Sequence, residues 1–228
     1  VLHFVIAHRF GQISDGAYDL WGLDNASMRM GFDYGITDRL AVGVARNTFQ
    51  KTYEASVKAR LLRQSGTVPL SITGYSALAC NGLRWTEPDR ENFFSSRLSY
   101  THQLVIARKF SSNFSAALTP SVVHRNLVAT PQDAHDEFLI GAGGRYKVTN
   151  RVSVNGEYFL RLNPSEAYNN SLSLGVDIET GGHVFQLHMT NSRGMFERAF
   201  LTETAGKWSD GNIYFGFNLS RVFTVSDR

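Results

Sequence analysis

Two histidines and one glycine-rich stretch are the residues of this chain whose type and spacing could support chemistry. His102 and His124 fall on neighbouring segments, where they could approach one another on one face of a sheet. A hydrolase at a membrane face combines such a histidine with a serine and an orienting polar group, and the sequence fixes no serine beside either one. The stretch from Gly141 to Gly144 lies inside a strand-like segment rather than before a helix, which disfavours a phosphate cradle. We therefore predict no catalytic residues.

Other candidates for metal, redox or nucleic-acid chemistry are isolated in the sequence. Cys80 has no second cysteine, and the remaining histidines are scattered along the chain without a metal-ligand spacing. The motifs of nucleotide-binding loops and nucleophile elbows do not occur. The 23 basic residues exceed the 20 acidic ones too slightly to indicate a nucleic-acid-binding surface. The sequence thus predicts no metal, no cofactor and no nucleic-acid partner.

The elements that carry these residues are segments in which apolar and polar residues alternate with a period of two. Successive side chains of a strand point to opposite sides, so each segment is a strand with one apolar and one polar face. Most are longer than the about 5 to 6 residues of a typical strand and close to the ~9 to 11 that cross a bilayer at a tilt. The segments are 1–10, 25–36, 40–49, 51–62, 68–79, 94–110, 114–127, 136–148, 151–162, 168–179, 182–191 and 212–225.

The connections between these segments alternate in length. Short turns rich in Asp, Asn, Ser and Gly follow the even segments, and longer loops follow most odd ones, except at the tight junction near Phe49. An even strand count with turns at one end, loops at the other and both termini at the turn end is typical of outer-membrane barrels. We predict one all-β domain, 1–228, forming an antiparallel transmembrane β-barrel of about 12 strands, with ten or fourteen strands as alternatives.

Three observations predict that the apolar face contacts lipid. The polar face carries small residues such as Gly43, Gly175 and Gly216, which make room inside a barrel but would weaken a solvated surface. Twelve strands enclose too much space for a dry apolar core. Aromatic residues also lie beside the short turns on the apolar face, where a headgroup-level girdle belongs. These are Tyr34, Phe110, Phe114, Tyr146 and Phe223.

The charged residues of the polar face are then predicted to line a lumen in which bases outnumber acids. A net-positive lumen with a low-dielectric wall would favour passing anions. The alternative is that these groups form cross-strand ion pairs that brace or fill the barrel; Arg145 and Glu157 on adjacent segments are a predicted pair. The candidate lumen-lining residues are Arg29, Asp33, Lys58, Arg60, Arg97, Arg125, Arg145, Glu157, Arg161 and Asp177.

Four residues fit this pattern poorly. Arg46, Arg108 and Arg221 fall on the outward register, where a cation costs roughly 2 to 4 kcal/mol at mid-bilayer and almost nothing near an interface. All three lie toward segment ends. Pro120 lies within a segment although a closed barrel has no free edge, so we predict a bulge there.

Two loops mix large apolar side chains with charges. The loop 192–211 contains Met195, Phe196, Phe200 and Leu201, and its length indicates a role. It could constrict the lumen, cover the mouth or dock a partner. The loop 11–24 has a similar amphipathic composition, so both loops are candidate contact surfaces for other envelope proteins.

Nine stretches of the sequence resemble a family of membrane-bound β-barrel proteins of Bacteroidota. The resemblance covers nearly the whole chain and implies an outer-membrane location in contact with lipid; it supplies no catalytic residues. The stretches are HRFG (8–11), WGLDNA (21–26), FDYGITD (32–38), KARLLRQ (58–64), SRLSYTHQLVIARKFS (96–111), HRNLV (124–128), GAGGRYKVTNRVSVNGEY (141–158), NSLSLGVDIETGGHVFQLHMTNS (170–192) and DGNIYFGFNLSRVF (210–223).

The expected function is that of a narrow, porin-like channel with a partly filled lumen. The basic residues of the lumen would favour the passage of anions, and loop 192–211 would limit the width of the bore. A second hypothesis is a structural or anchoring subunit of a larger outer-membrane complex that conducts nothing. A third, remote hypothesis is a membrane-face lipid hydrolase using His102 or His124.

Overall fold

Twelve strands form a single closed ring in the computed structural model, which describes residues 1–128, 130–131, 133–163 and 167–224. Each strand is antiparallel to its neighbours, and β1 pairs with β12 to complete the ring. The predicted fold and strand number are thus confirmed. The strands are β1 (Leu2–Gln12), β2 (Ala26–Gly35), β3 (Leu40–Asn47), β4 (Tyr53–Leu62), β5 (Ser71–Cys80), β6 (Leu98–Lys109), β7 (Phe114–Arg125), β8 (Asp136–Lys147), β9 (Val152–Arg161), β10 (Ser171–Thr180), β11 (His183–Thr190) and β12 (Tyr214–Phe223).

Regular structure outside the strands is short. Among the described residues, one α-helix, α1 (Glu197–Thr202), lies between β11 and β12, and short 3-10 turns occur in several connections. None of the helices in the described ranges is long and apolar enough to span a membrane. The predicted last segment includes residue 225 and the predicted domain includes residues 225–228, which lie outside the described residues.

The apolar face of each strand points outward, as the alternation predicts. In β2, Phe32 and Tyr34 are 41% and 45% exposed, whereas Ser27 on the other register is buried. Phe4 of β1 packs beside Phe32 on this outer surface, with 4.8 Å between the ring centres. The outer wall is therefore a continuous apolar surface whose area is too large for contact with water.

Each outward arginine lies near a strand end and places its guanidinium over an aromatic ring, an arrangement that cation–π attraction stabilises. The side chain can then reach the interface, where a charge costs little. The pairs, with the distance from the guanidinium carbon to the ring centre, are Arg46 and Tyr53 (4.4 Å), Arg108 and Phe110 (5.2 Å), and Arg221 and Phe223 (4.9 Å).

Pro120 does not produce the predicted bulge. Its pairing with Ile140 continues the β7–β8 register without a shift, and the β6–β7 register is the same on both sides of it. The ladder pairs between β6 and β7 are interrupted near Pro120, because proline has no N–H to donate. Register shifts occur instead between Arg9 and Gln12 in β1 and between Arg60 and Leu62 in β4.

Candidate functional site

The strand register places nearly all the predicted lumen residues on the inward face. The exception is Arg97, which does not belong to a strand: it ends a 3-10 turn before β6. Its guanidinium donates hydrogen bonds to the carbonyl oxygens of Asn81 and Leu83 (2.8 and 2.5 Å) and lies over the Trp85 ring at 3.8 Å. Arg97 therefore ties together the loop between β5 and β6, and its assignment to the lumen is corrected. The inward residues are Arg29, Asp33, Lys58, Arg60, Arg125, Arg145, Glu157, Arg161 and Asp177.

At the loop end of the lumen, Glu137 of β8 joins two of the predicted arginines. It accepts a hydrogen bond from Arg125 at 2.5 Å and one from Arg161, and all three side chains are largely shielded from water. Such a cluster tolerates burial because each ion has a partner. The sequence prediction missed Glu137, although its register matches that of Arg145 eight residues later on the same strand.

Two more ion pairs bridge β2 and β4 across the intervening β3. Arg29 binds Glu54 with Nη2 2.6 Å and Nε 2.9 Å from Oε2, and Lys58 lies 3.2 Å from Asp33. The long side chains can pass over β3 because it presents Gly43 beneath them: a methyl group there would collide with the Asp33 carboxylate. These pairs brace the wall on that side.

The predicted pair between Arg145 and Glu157 does not form. Arg145 instead reaches past β9 to β10, where it binds Glu179 at 2.7 Å and lies 3.5 Å from Asp177. Its Nε donates to the hydroxyl of Ser153, which steers the guanidinium in that direction. Two carboxylates on β10 outcompete the single one on β9, so Glu157 is left without a cross-strand base.

The segment 192–206, called the plug below, folds from the loop end into the lumen. Phe196, Ala199 and Leu201 of the plug are 0 to 1% exposed. Leu201 packs against inward side chains of the wall, which are Val123, Leu139 and Phe159. Phe196 and Ala199 form a second cluster with Ala79 and Phe49. The plug thus covers the inward apolar side chains of Ala79, Val123, Leu139 and Phe159.

Polar contacts tie the plug to further strands. Arg9 of β1 donates to the carbonyl oxygens of Ser192 and Gly194 at 2.8 and 2.6 Å. The hydroxyl of Tyr75 on β5 donates to Glu197 at 2.6 Å. Contacts of the plug therefore reach β1, β5 and β7 to β9, which lie on different sides of the ring, so the plug crosses the bore.

A cavity of about 480 Å³ lies in the lumen beside the plug. Met195 and Phe200 of the plug form part of its lining. The strands contribute mainly polar side chains and glycine, and the charged side chains among them include both acids and bases. They include Arg9, Arg29, Asn155, Glu157, Asp177, Gln186, His188 and Asn218. A polar chamber of this kind is what the small and charged residues of the inward face indicated.

The loop 11–24 stays outside the barrel and exposes its apolar side chains. Tyr18 is 94% exposed, and Leu20 and Trp21 are about half exposed. Leu20 and Trp21 have φ angles of 47° and 52°, in the left-handed region that non-glycine residues rarely occupy. Gly22 allows this turn to pack closely on the backbone of Gly11.

His102 and His124, on the outward face, each have one polar side-chain partner. His102 Nδ1 lies 2.9 Å from the hydroxyl of Ser76, directly across the β5–β6 ladder, so the expectation that no outward serine lies beside a histidine was wrong. His124 Nδ1 lies 2.8 Å from Asp136. Among the described residues no carboxylate contacts His102, and the described part of the chain holds no group of three metal-ligating side chains.

Solved structures with the same fold are known. They include the KdgM porin (TM-score 0.60, 9% identity, covering 97% of this chain and 99% of that one), the NanC porin (0.61, 7%, 99% and 100%) and an outer membrane channel from Pseudomonas putida F1 (0.55, 12%, 97% and 94%). Identities this low show a shared fold and nothing finer. No curated protein sequence matches the chain.

The closed antiparallel ring with its outward apolar wall is the architecture of a bacterial outer-membrane protein. The family comparison agrees, because residues 1–223 match a model described as a membrane bound beta barrel domain (DUF5777). The chain belongs to this membrane-bound β-barrel family.

Proposed function

We propose that the protein is a narrow outer-membrane channel through which small polar solutes pass passively, with the plug setting the bore. The observation that carries this proposal is the polar lumen cavity of about 480 Å³ next to the plug. A barrel that served only as an anchor could fill its interior with paired or apolar side chains. This one keeps an open polar chamber instead.

The charge of the lumen is the finer part of the proposal. The sequence prediction of a basic excess is revised in detail, since Glu137 adds an acid to the inward face and Arg97 leaves it. Lys109 and Lys147 lie near the turn end on the inward register, and the carboxylate of Glu179 interacts there with both Lys147 and Arg145. We propose that this end gives the channel a weak preference for anions.

A non-conducting structural or anchoring subunit is the second candidate function. The exposed apolar side chains of loop 11–24 favour it, because such surfaces mark contacts with other proteins. Under either function we propose that the outer wall contacts outer-membrane lipid and that the Ser76–His102 pair has no catalytic role. We also propose that the protein comes from a member of the Bacteroidota, as the sequence resemblance implies.

Conductance in planar bilayers tests the proposal. We expect small unitary currents from the wild-type protein and clearly larger ones when residues 194–204 are replaced by a glycine-serine linker, because the linker cannot pack against the wall. A glycine-serine linker of matching length in place of the exposed residues 86–91 is the control and should leave the current unchanged. In a potassium chloride gradient, the reversal potential reports the anion preference.

Silence from both the wild type and the plug-replaced protein would contradict the channel. If the silent protein also co-purified with a partner in a fixed ratio, the anchoring function would be supported instead. Folding of each variant is checked by the retained slow mobility of the unheated barrel on a denaturing gel.

A further inference from the structure

Glu157 is an ionisable group in the lumen cavity without a partner. Its side chain is exposed to the cavity, and within the described ranges it makes no hydrogen bond and no ion pair. Its two neighbours across the ladders are Gly143 and Ser173, neither of which can neutralise a carboxylate. Arg145, the nearest candidate base by register, is bound to β10.

Arg9 is a cation in the same cavity without an anionic partner in contact. Its guanidinium binds the carbonyl oxygens of Ser192 and Gly194 and lies 3.1 Å from Nε2 of His188, and all three of these acceptors are uncharged. The carboxylate with which Arg9 interacts electrostatically is Glu157, at a separation beyond that of an ion pair.

The other charged residues that line this cavity are already paired. Arg29 is held by Glu54, and Asp177 is held by Asn155, Gln186 and Arg145. An unpaired ion inside a protein is costly unless something compensates it. One wall of the cavity, β1, thus carries an available positive charge, and another, β9, carries an available negative charge, with three strands between them.

We propose that this cavity binds a small zwitterionic solute that carries one ammonium and one carboxylate group, and that such solutes are the preferred cargo; this rests on the proposed channel function. The ammonium group faces Glu157 and the carboxylate faces Arg9. The amide side chains of Asn155, Gln186 and Asn218 line the same space and supply neutral hydrogen-bonding groups. A volume of about 480 Å³ admits a solute of amino-acid size.

Binding at Arg9 also acts on the plug. The solute carboxylate approaches the guanidinium group of Arg9, whose Nη1 donates to the carbonyl oxygens of Ser192 and Gly194. A carboxylate is a stronger hydrogen-bond acceptor for arginine than a carbonyl. The solute therefore draws Arg9 away from the plug, and occupancy of the cavity weakens one of the contacts that keep the bore narrow.

Three probes of nearly equal size test the inference. β-Alanine carries both charges, propylamine only the positive one and propionate only the negative one. Binding of each to the full-length barrel in detergent is measured by saturation-transfer NMR and calorimetry, which do not depend on conduction. We expect β-alanine to bind at least about tenfold more tightly than either single-charge probe, since only it complements both walls.

Two variants separate the contributions. E157Q should abolish the preference for β-alanine over propionate, and R9Q should abolish its preference over propylamine. The controls are E91Q and R63Q, exposed substitutions in a loop and in a turn away from the cavity, which should leave both preferences unchanged.

Equal binding of the three probes to the wild-type protein overturns the inference without any variant, so a variant that fails to fold does not decide the outcome. Failure of all three to bind also overturns it, whereas the channel itself fails only if the conductance test is silent. A preference for β-alanine that survives in well-folded E157Q would place the ammonium site elsewhere and equally overturn it.

Discussion

Leu201 is the side chain that best tests whether apolar packing holds the plug in the lumen. It is fully buried against Val123, Leu139 and Phe159 of the wall. Replacing a buried leucine by alanine costs about 2 to 5 kcal/mol. The substitution L201A leaves the strand pairing intact, so this loss falls on plug docking. Because about 1.4 kcal/mol corresponds to a factor of ten, even a loss of about 2 kcal/mol raises the undocked population by about 30-fold.

Amide hydrogen exchange measures that population directly. In L201A we expect the amides of α1 to exchange about 30-fold faster or more, while the amides of β7 to β9 keep their protection. L104A, on the lipid-facing side of β6, is the matched control and should change neither region. Unchanged exchange in α1 would show that packing at Leu201 does not hold the plug. If amide exchange became faster by the same factor in α1 and in the strands, the plug and the wall would open as one unit.

Two further substitutions test contacts between inward-facing residues that stabilise the barrel wall. E137Q leaves two buried guanidinium groups without their carboxylate, so we expect the free energy of unfolding in a denaturant titration to fall by about 3 kcal/mol; a loss no larger than that of the exposed-loop variant E87Q would contradict the buried cluster. G141A would drive a methyl group into the Phe159 ring and should cost about 1 to 3 kcal/mol in the same titration. G66A, whose new methyl group meets no atom within 4 Å, is its control, and equal stability of the two variants would argue against the tight contact.

The barrel was predictable because one physical rule, the alternation of side chains along a strand, applies to every element. That rule also assigned the inward register of residues such as Arg29 and Asp177 without any knowledge of their neighbours. It failed at Arg97 because the strand begins one residue later, after a 3-10 turn that sets its own side-chain directions. Strand ends are where periodicity stops carrying information.

Which charged side chains pair with each other inside the lumen was harder to predict than which side chains point inward. Adjacent strands indicated Arg145 with Glu157, but an arginine is long enough to reach two strands away to Glu179. The plug posed a similar difficulty, since a loop has no periodicity and its apolar residues could have faced a partner as well as the wall. Only the positions of Val123, Leu139 and Phe159, apolar residues on an otherwise polar face, hinted that something would pack inside.

The pairing of β1 with β12 has a consequence for biogenesis. Leu2 lies opposite Phe223, so the ladder that closes the barrel joins the first and the last strand, which are far apart in the sequence. Contacts so distant in sequence form late. Until they form, both terminal strands present a row of unsatisfied amide and carbonyl groups, which hydrocarbon does not solvate. The nascent sheet must therefore complete this seam while its edges are still shielded from the bilayer interior.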